Sequence, residues 1–417
     1  MFLLYEVILY LVFILGLPLF LVIGFLRGKY LTSFPARMGF YRTRPERHDL
    51  WIHAVSVGEA LAARPVLAQI ERLRPGTSMV ITTTTTTGQA QARRLYPEAT
   101  VTYFPFDFTF SVGRFLDHHA PRVYATMETE IWPNVTRLCR RRGMRLILAN
   151  GRISDRSYPR YRVLRFFIAP VLRRYDRILA RESVDGERFQ AIGAPREVVE
   201  TVGNVKFDYD SDPAPLEAAP LIEDLIGSRK VLVLGSTMEG EDEALLPEVE
   251  RFVRERNACV IIAPRKPERF ELVAGLLSTT SLRFVRRTEL RDDSTHADIL
   301  LLDTLGELAS IYRYATAAFV GGSIAPFGGH NPIEAAAAGV PVCFGGSMSN
   351  FREIAATFLA NDAAVEVDSA AGVIAFAERI FDDEALQEAL GERARQTVLQ
   401  NRGASEATAR RIVELLA

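Results

Sequence analysis

The chain has 417 residues, with 50 Lys plus Arg against 51 Asp plus Glu, so its formal net charge of −1 offers no global attraction to nucleic acid. That length suits two domains and a short appendage better than one core. Three cysteines without CxxC spacing fit a reducing compartment rather than a disulfide framework, and the six histidines lack any metal-ligand spacing.

Val7–Leu26 carries no charged residue over a length that matches the roughly 20 residues needed to cross a bilayer, and predicts a single N-terminal anchor over residues 1–27. Arg27, Lys29, Arg37, Arg42, Arg44 and Arg47 follow it while Glu6 precedes it, which puts the body of the chain in the cytoplasm by the positive-inside rule. No basic region precedes the run and no small-x-small cleavage site ends it, which argues against a signal peptide. Gly16 and Pro18 leave a shallow monotopic insertion open as the alternative to a true span.

Residues 28–205 then alternate short apolar runs with helical patterns, as βαβ units do. Strands are expected at 51–56, 79–83, 101–105, 123–126, 145–150, 177–180 and 198–202, with helices at 61–73, 132–142 and 159–174 among them. Residues 206–228 read as a linker, because Asp208, Asp210, Asp212, Pro213 and Pro215 stand among small residues. Asp208 and Asp210 have the look of a metal-binding DxD, but no strand end supports them. The third segment, 229–417, repeats the alternation, with strands at 230–234, 260–263, 299–303, 317–320 and 341–344 and helices at 241–256, 307–314 and 332–338. The expected architecture is α/β: two doubly wound, Rossmann-like domains facing a cleft. Ligands in such sheets sit beyond the carboxyl ends of the strands, so those positions hold the candidate site.

Ser56-Val57-Gly58-Glu59 follows the first of these strands. Glu59 either complements the dipole of the helix it opens or acts as a general base, with Gly58 permitting close approach. Met127-Glu128-Thr129-Glu130 ends another strand, and its carboxylates either cluster at a helix start or support Glu59. Thr82–Thr87 offers hydroxyls, Thr84 among them, to a ligand or to a helix cap. Arg152 and Arg156 stand four apart after the strand at 145–150, a spacing suited to phosphate or to a solvated face. Arg162, Arg165, Arg173 and Arg174 interleave with apolar residues in a pattern that fits lipid headgroups or a core-facing helix.

In the second half, Gly321-Gly322-Ser323 ends a strand, and Phe327-Gly328-Gly329-His330-Asn331-Pro332-Ile333-Glu334 enters an alanine-rich helix. Glycines with a helix N-terminus make an anion site, and Glu334 one turn in suits a ribose hydroxyl pair. Ser236, Arg265, Gly306 and Glu307 also stand at strand ends. A nicotinamide-dependent oxidoreductase would need GxGxxG after the first strand of a domain, and neither 51–59 nor 231–239 has it. A non-catalytic scaffold would not require charged residues at so many strand ends.

Taken in order, SVGE, METEIWPN, NGRIS, GNVKFD, PRKPERF, DTLGEL, FVGGS and GGHNPIEAAA, with Arg37-Met38-Gly39-Phe40-Tyr41 near the start, resemble the Kdo transferases that build the inner core of lipopolysaccharide. The resemblance runs nearly end to end. It implies a GT-B fold, CMP-Kdo as donor, a lipid A precursor as acceptor at the inner membrane, and inversion at the anomeric carbon without metal or cofactor. It also implies Glu59 as catalytic base, with Glu130 beside it. Donor contacts are expected at Lys206, Ser236, Arg265, Gly306, Glu307, His330, Asn331 and Glu334, and acceptor contacts at Ser56, Gly58, Thr84, Glu128, Arg152 and Arg156. A related nucleotide-sugar enzyme, such as another lipid glycosyltransferase or a sugar epimerase, is the rival reading.

Overall fold

The computed structural model describes residues 2–27, 32–208, 216–291, 294 and 297–417, with the side chains of 19–27 left out. The chain divides into two compact units, residues 1–208 with 401–417, and residues 209–400.

The first unit is built on seven parallel strands: β1 (Leu50–His53), β2 (Met79–Thr83), β3 (Thr100–Tyr103), β4 (Val123–Met127), β5 (Arg145–Gly151), β6 (Arg177–Ala180) and β7 (Val199–Thr201). Their order across the sheet is β3-β2-β1-β4-β5-β6-β7. Helices cover both faces, which is why β1 is buried at every residue and reads as a continuous apolar run. Alternate side chains serve the two faces: Leu50 and Ile52 join one core and Trp51 the other. Trp51 is fully buried, and its indole N–H is satisfied by the Thr82 hydroxyl at 2.8 Å.

The second unit repeats the plan with β8 (Val231–Thr237), β9 (Cys259–Pro264), β10 (Phe284–Arg286), β11 (Ile299–Leu301), β12 (Ala317–Val320), β13 (Val342–Gly345) and β14 (Val365–Val367), in the order β10-β11-β9-β8-β12-β13-β14. The edge strands β10 and β14 were not expected. Each has three residues, none of them buried, so neither shows the apolar run that marks a covered strand.

The strand order of the first sheet reverses between β1 and β4, and that of the second between β8 and β12. Such switch points open a crevice at the carboxyl ends of the two strands, because their connections leave in opposite directions.

Two expected boundaries need correction. Residues 401–417 belong to the first unit, not to a C-terminal domain running over 229–417. The helix Ala404–Leu416 sets Ala404, Ala409, Ile412 and Leu416 into the core that contains Ala60, Ala63 and Leu67 of the helix Val57–Leu73. Asp208 explains part of the linker. Its carboxylate accepts hydrogen bonds from Gly403 N at 2.6 Å and Ser405 N at 2.5 Å, which caps that returning helix. Asp210 and Asp212 lie outside the described residues. The helix Ala219–Ile226 occupies much of the remaining linker.

The expected anchor also needs correction. A helix does span Phe2–Arg27, yet among the described residues no helix is long and apolar enough to cross a membrane. One side of its first half is docked on the first unit through polar groups as well as rings. Tyr5 donates its hydroxyl to Asp107 at 2.8 Å, and Glu6 accepts from Thr109 N at 2.9 Å and Asn134 Nδ2 at 2.7 Å. Tyr10 stacks on Phe108, and Phe13 packs against Phe34 and Phe108. The other side leaves Leu3, Leu4, Leu11, Val12 and Leu15 exposed. The expected anchor from residue 19 onward falls on side chains outside the described set.

Candidate active site

Both switch points carry the residues that the sequence singled out. In the first unit, Ser56 is the N-cap of the helix Val57–Leu73, and Glu59 stands in its first turn just past β1. The Glu59 carboxylate accepts a hydrogen bond from Val55 N at 2.7 Å, with the Ser56 hydroxyl at 3.5 Å. The helix-start position therefore falls to the same side chain that the sequence offers as a base. Burial pushes the Glu59 carboxyl up to about 8, and the negative charges of Glu128 and Glu130 add to the rise against the Val55 and Ser56 hydrogen bonds. Gly58 is exposed, and a β-carbon there would meet only the Ser56 hydroxyl, 3.9 Å away, so the space above the helix start is open.

Across the switch point, Glu128 ends β4 with φ +59, a left-handed conformation that a side-chain-bearing residue adopts only when its surroundings force it. Those surroundings are its amide, bonded to the Ala149 carbonyl at 2.8 Å, and its carboxylate, held by Arg181 Nη2 at 2.5 Å. Lys206 Nζ lies 3.9 Å from the same carboxylate, so this lysine, expected among the donor contacts, belongs to the first unit beside Glu128. Glu130 has a raised pKa from burial first and from Glu128 second. Three carboxylates thus share one electrostatic neighbourhood, with Lys206 and Arg181 as countercharges.

The nearby acceptor candidates fall into two groups. Thr84 bonds through its amide to the Val55 carbonyl, and its own carbonyl accepts from the Arg37 guanidinium, which lies over the Tyr103 ring. In the rest of the threonine run, Thr85 caps the next helix through Gly88 N at 2.9 Å, and Thr82 is buried against Trp51 and His53, so capping and packing explain those two. Arg152 is fixed through its main chain to the Thr129 hydroxyl, whereas Arg156 is exposed with no ion pair among the described residues.

In the second unit, Ser236 adopts φ +58 at the end of β8. A β-carbon on Gly321 would come 2.5 Å from the Ser236 carbonyl oxygen, so the glycine is what lets the ends of β8 and β12 close on each other. The turn after β12 holds a surprise. Glu241, 1 % exposed, directs its carboxylate at Gly322 N (2.6 Å), Ser323 N (2.9 Å) and Ile324 N (3.0 Å), and bonds Met238 N at 3.0 Å as well. The amides of Gly322 and Ser323, in one of the glycine turns expected to help make an anion site, are thus already occupied by an internal carboxylate.

His330, Arg265 and Glu334 converge nearby. The His330 ring lies over Gly322, where a β-carbon would come 2.9 Å from Cδ2, and its buried Nε2 has no hydrogen-bond partner among the described residues. Burial, and then the Arg265 charge, hold His330 neutral, down to about 4. Glu334 has a raised pKa from burial, opposed by Asn331, whose Nδ2 lies 3.4 Å from it, and by Arg265. Gly306 turns with φ +91 into open space, and Glu307 is tied down by Arg287 at 2.8 Å and Thr304 at 2.5 Å. The helix Ile333–Ala337 has only five residues, so the dipole expected to favour a phosphate is short.

The residues missed in the sequence are Arg181, Glu241 and Arg287. Arg181 follows β6 directly, and the strand-end rule applied there would have found it. Nothing local marks Glu241, whose partners lie more than 80 residues away.

Comparisons with known proteins bear on the family and the fold. The family model described as 3-deoxy-D-manno-octulosonic-acid transferase (kdotransferase) matches residues 32–209. The 3-deoxy-D-manno-octulosonic acid transferase of Haemophilus influenzae is 32 % identical over 93 % of this chain and 91 % of its own length, and that of Bordetella pertussis is 34 % identical over 91 % of each. Among solved structures, the UDP-GlcNAc 2-epimerase of Neisseria meningitidis superposes with a TM-score of 0.58 at 11 % identity, covering 89 % of this chain and 99 % of that one. A glycosyltransferase of Rickettsia africae does so with 0.55 at 14 %, covering 90 % and 98 %. At that identity these structures speak to the fold, the two-sheet GT-B arrangement. With its length matched nearly end to end by relatives above 30 % identity, the chain belongs to the 3-deoxy-D-manno-octulosonic acid (Kdo) transferases, and is a Kdo-transferring glycosyltransferase.

Proposed function

We propose that the chain transfers Kdo from CMP-Kdo to a lipid A precursor at a membrane surface, with inversion at the anomeric carbon, without a metal, and with Glu59 as general base. The observation that carries this reading is the half-buried Glu59 at the β1/β4 switch point, whose carboxyl titrates near 8 beside Glu128 and Glu130. A base of that strength, once ionised, takes the proton of a sugar hydroxyl as the hydroxyl oxygen bonds to the anomeric carbon. The bond from that carbon to the cytidylate phosphate breaks on the opposite side, and CMP leaves with the electron pair. Arg265, with the buried His330 edge and Asn331 beside it, supplies the donor side, and the arginine offsets the growing charge on the phosphate.

The membrane part of the reading is supported by the exposed apolar side of the N-terminal helix together with Val163 and Phe166, each 76 % exposed. This corresponds to insertion into one leaflet's interface. The test incubates the purified protein with CMP-Kdo and a lipid A precursor in the absence of divalent metal and weighs the lipid. A gain of one or more Kdo units is expected, and an unchanged lipid mass would sink the donor and acceptor assignments together.

A further inference from the structure

At the start of the N-terminal helix lies a pocket of about 420 Å3 lined by Phe2, Arg137, Arg140, Arg141 and Arg174. Four guanidinium groups are gathered there against few countercharges. Arg137 lies 3.8 Å from Glu6, and Arg140 lies 3.0 Å from Asp176, which Arg145 shares at 3.2 Å. Arg141 and Arg174 have no carboxylate partner among the described residues. Arg174 is instead fastened to the Pro170 carbonyl and laid over the Phe2 ring at 4.6 Å, and Arg137 approaches the same ring at 5.4 Å. Arg137 Nε is buried with no hydrogen-bond partner among the described residues. The Arg174 guanidinium is held below its usual range by burial first and then by Arg137, Arg140 and Arg141, so these cations repel one another.

Arginines gathered around one hollow, three of them held by hydrogen bonds, suit a ligand with several anionic oxygens, above all a phosphate ester. Its carrier is indicated by the rim. Leu3 and Leu4, 80 % and 65 % exposed, follow Phe2, and the Tyr5 ring meets Phe167, whose neighbour Phe166 is exposed. A phosphate site bordered by uncovered apolar side chains matches an amphiphile whose headgroup enters the pocket while its chains run along the helix. The pocket is also separate from the catalytic carboxylates. Arg137, Arg140 and Arg141 occupy the second half of the helix Pro133–Arg141, which starts beside Glu130 and runs back along the sheet, carrying its last turn about 12 Å away from the strand ends.

We infer that Arg137, Arg140, Arg141 and Arg174 form a binding site for the phosphate of an anionic phospholipid headgroup, distinct from the sugar-transfer site. This deepens the membrane part of the proposed function and rests on it. The test measures co-sedimentation of the full chain with vesicles of phosphatidylcholine alone and with about one third phosphatidylglycerol, for the unaltered protein, Arg141→Gln, Arg141→Gln with Arg174→Gln, and Arg93→Gln with Arg94→Gln as an exposed control pair. The unaltered protein is expected to prefer the anionic vesicles, and that preference is expected to fall about five-fold for each pocket arginine removed. Binding to phosphatidylcholine, and Kdo transfer to acceptor dispersed in detergent, should stay unchanged.

If both pairs of substitutions weaken anionic binding equally, surface charge suffices and the site is overturned. Saturable binding of inorganic phosphate that the pocket substitutions abolish, with vesicle preference intact, would assign the pocket to free phosphate and overturn the lipid source. Absence of binding to either vesicle by the unaltered protein would instead remove the membrane reading itself, a result separate from loss of the anionic preference alone. Arg141 is exposed, so its single variant keeps the test valid if the double variant folds poorly.

Discussion

Glu241 Oε2 lies 2.6 Å from the amide of Gly322, which joins the end of β8 to the turn after β12 through a carboxylate rather than through side-chain packing. Because the same carboxylate serves further amides, replacing one of its oxygens by an NH2 group turns a donor toward a donor. Glu241→Gln is expected to raise KM for CMP-Kdo at least about ten-fold while changing kcat less, and to cost about 1–3 kcal/mol of stability. Initial rates across donor concentration check the split. Unchanged KM would show that the turn holds its shape without the carboxylate.

Glu59 as the base predicts a pH dependence. A carboxyl held near 8 is mostly protonated at neutral pH, and a base must be ionised, so kcat rises with pH and levels off above about 8. Glu59→Gln should lose about 10²–10⁴-fold in kcat, with donor binding preserved and the alkaline rise gone. Glu130→Gln removes one of the charges that lift Glu59, so its rise is expected at lower pH. Rate profiles of the three proteins test both statements, and a Glu130→Gln profile displaced to higher pH would contradict the coupling.

Asp208 separates a structural aspartate from a metal-binding one. Asp208→Ala removes two hydrogen bonds to the start of the helix Ala404–Leu416 and should cost about 1–2 kcal/mol, read as a lower urea midpoint. The same loss should appear with and without added divalent metal.

Asp107 gives the fold a pH dependence of its own. Burial lifts its carboxyl from 3.8 to about 7 against hydrogen bonds from Asn134, Tyr5 and Val135. The folded chain therefore keeps this proton up to about pH 7, whereas the unfolded chain releases it near 3.8. Between those values the native state holds more protons, so this group's contribution to stability declines as pH rises through the window. Urea midpoints across it should fall less in Asp107→Asn than in the unaltered protein. An identical fall in both would show that Asp107 does not titrate there.

Most of the sheet framework was legible because buried parallel strands such as Leu50–His53 and Cys259–Pro264 are near-continuous apolar runs. The strand-end positions of Glu59 and Glu128 were legible too, since each sits where a strand gives way to a helix. What the residues did not reveal were partnerships. Glu241 reads locally as an acidic first turn, and its distant amides carry no signal in the chain. Ala404–Leu416 shows an apolar stripe without naming the helix that it covers. Val7–Leu26 reads as a lipid-facing run because it begins just past Tyr5 and Glu6, whose bonds to Asp107, Thr109 and Asn134 dock the same helix on the first unit.

The return of residues 404–416 to the first unit bears on how the chain is made. Ala409, Ile412 and Leu416 shield Ala60, Ala63 and Leu67 on the helix that bears Glu59, and Arg74 Nη1 closes the contact on the Leu416 carbonyl at 2.8 Å. During synthesis the first unit emerges with this face bare, and the second can finish its own core before residues 404–416 arrive. The helix that bears Glu59 thus acquires this support only after the second unit has been translated, and a chain cut short before residue 404 leaves a complete second unit attached to a first one with an uncovered core.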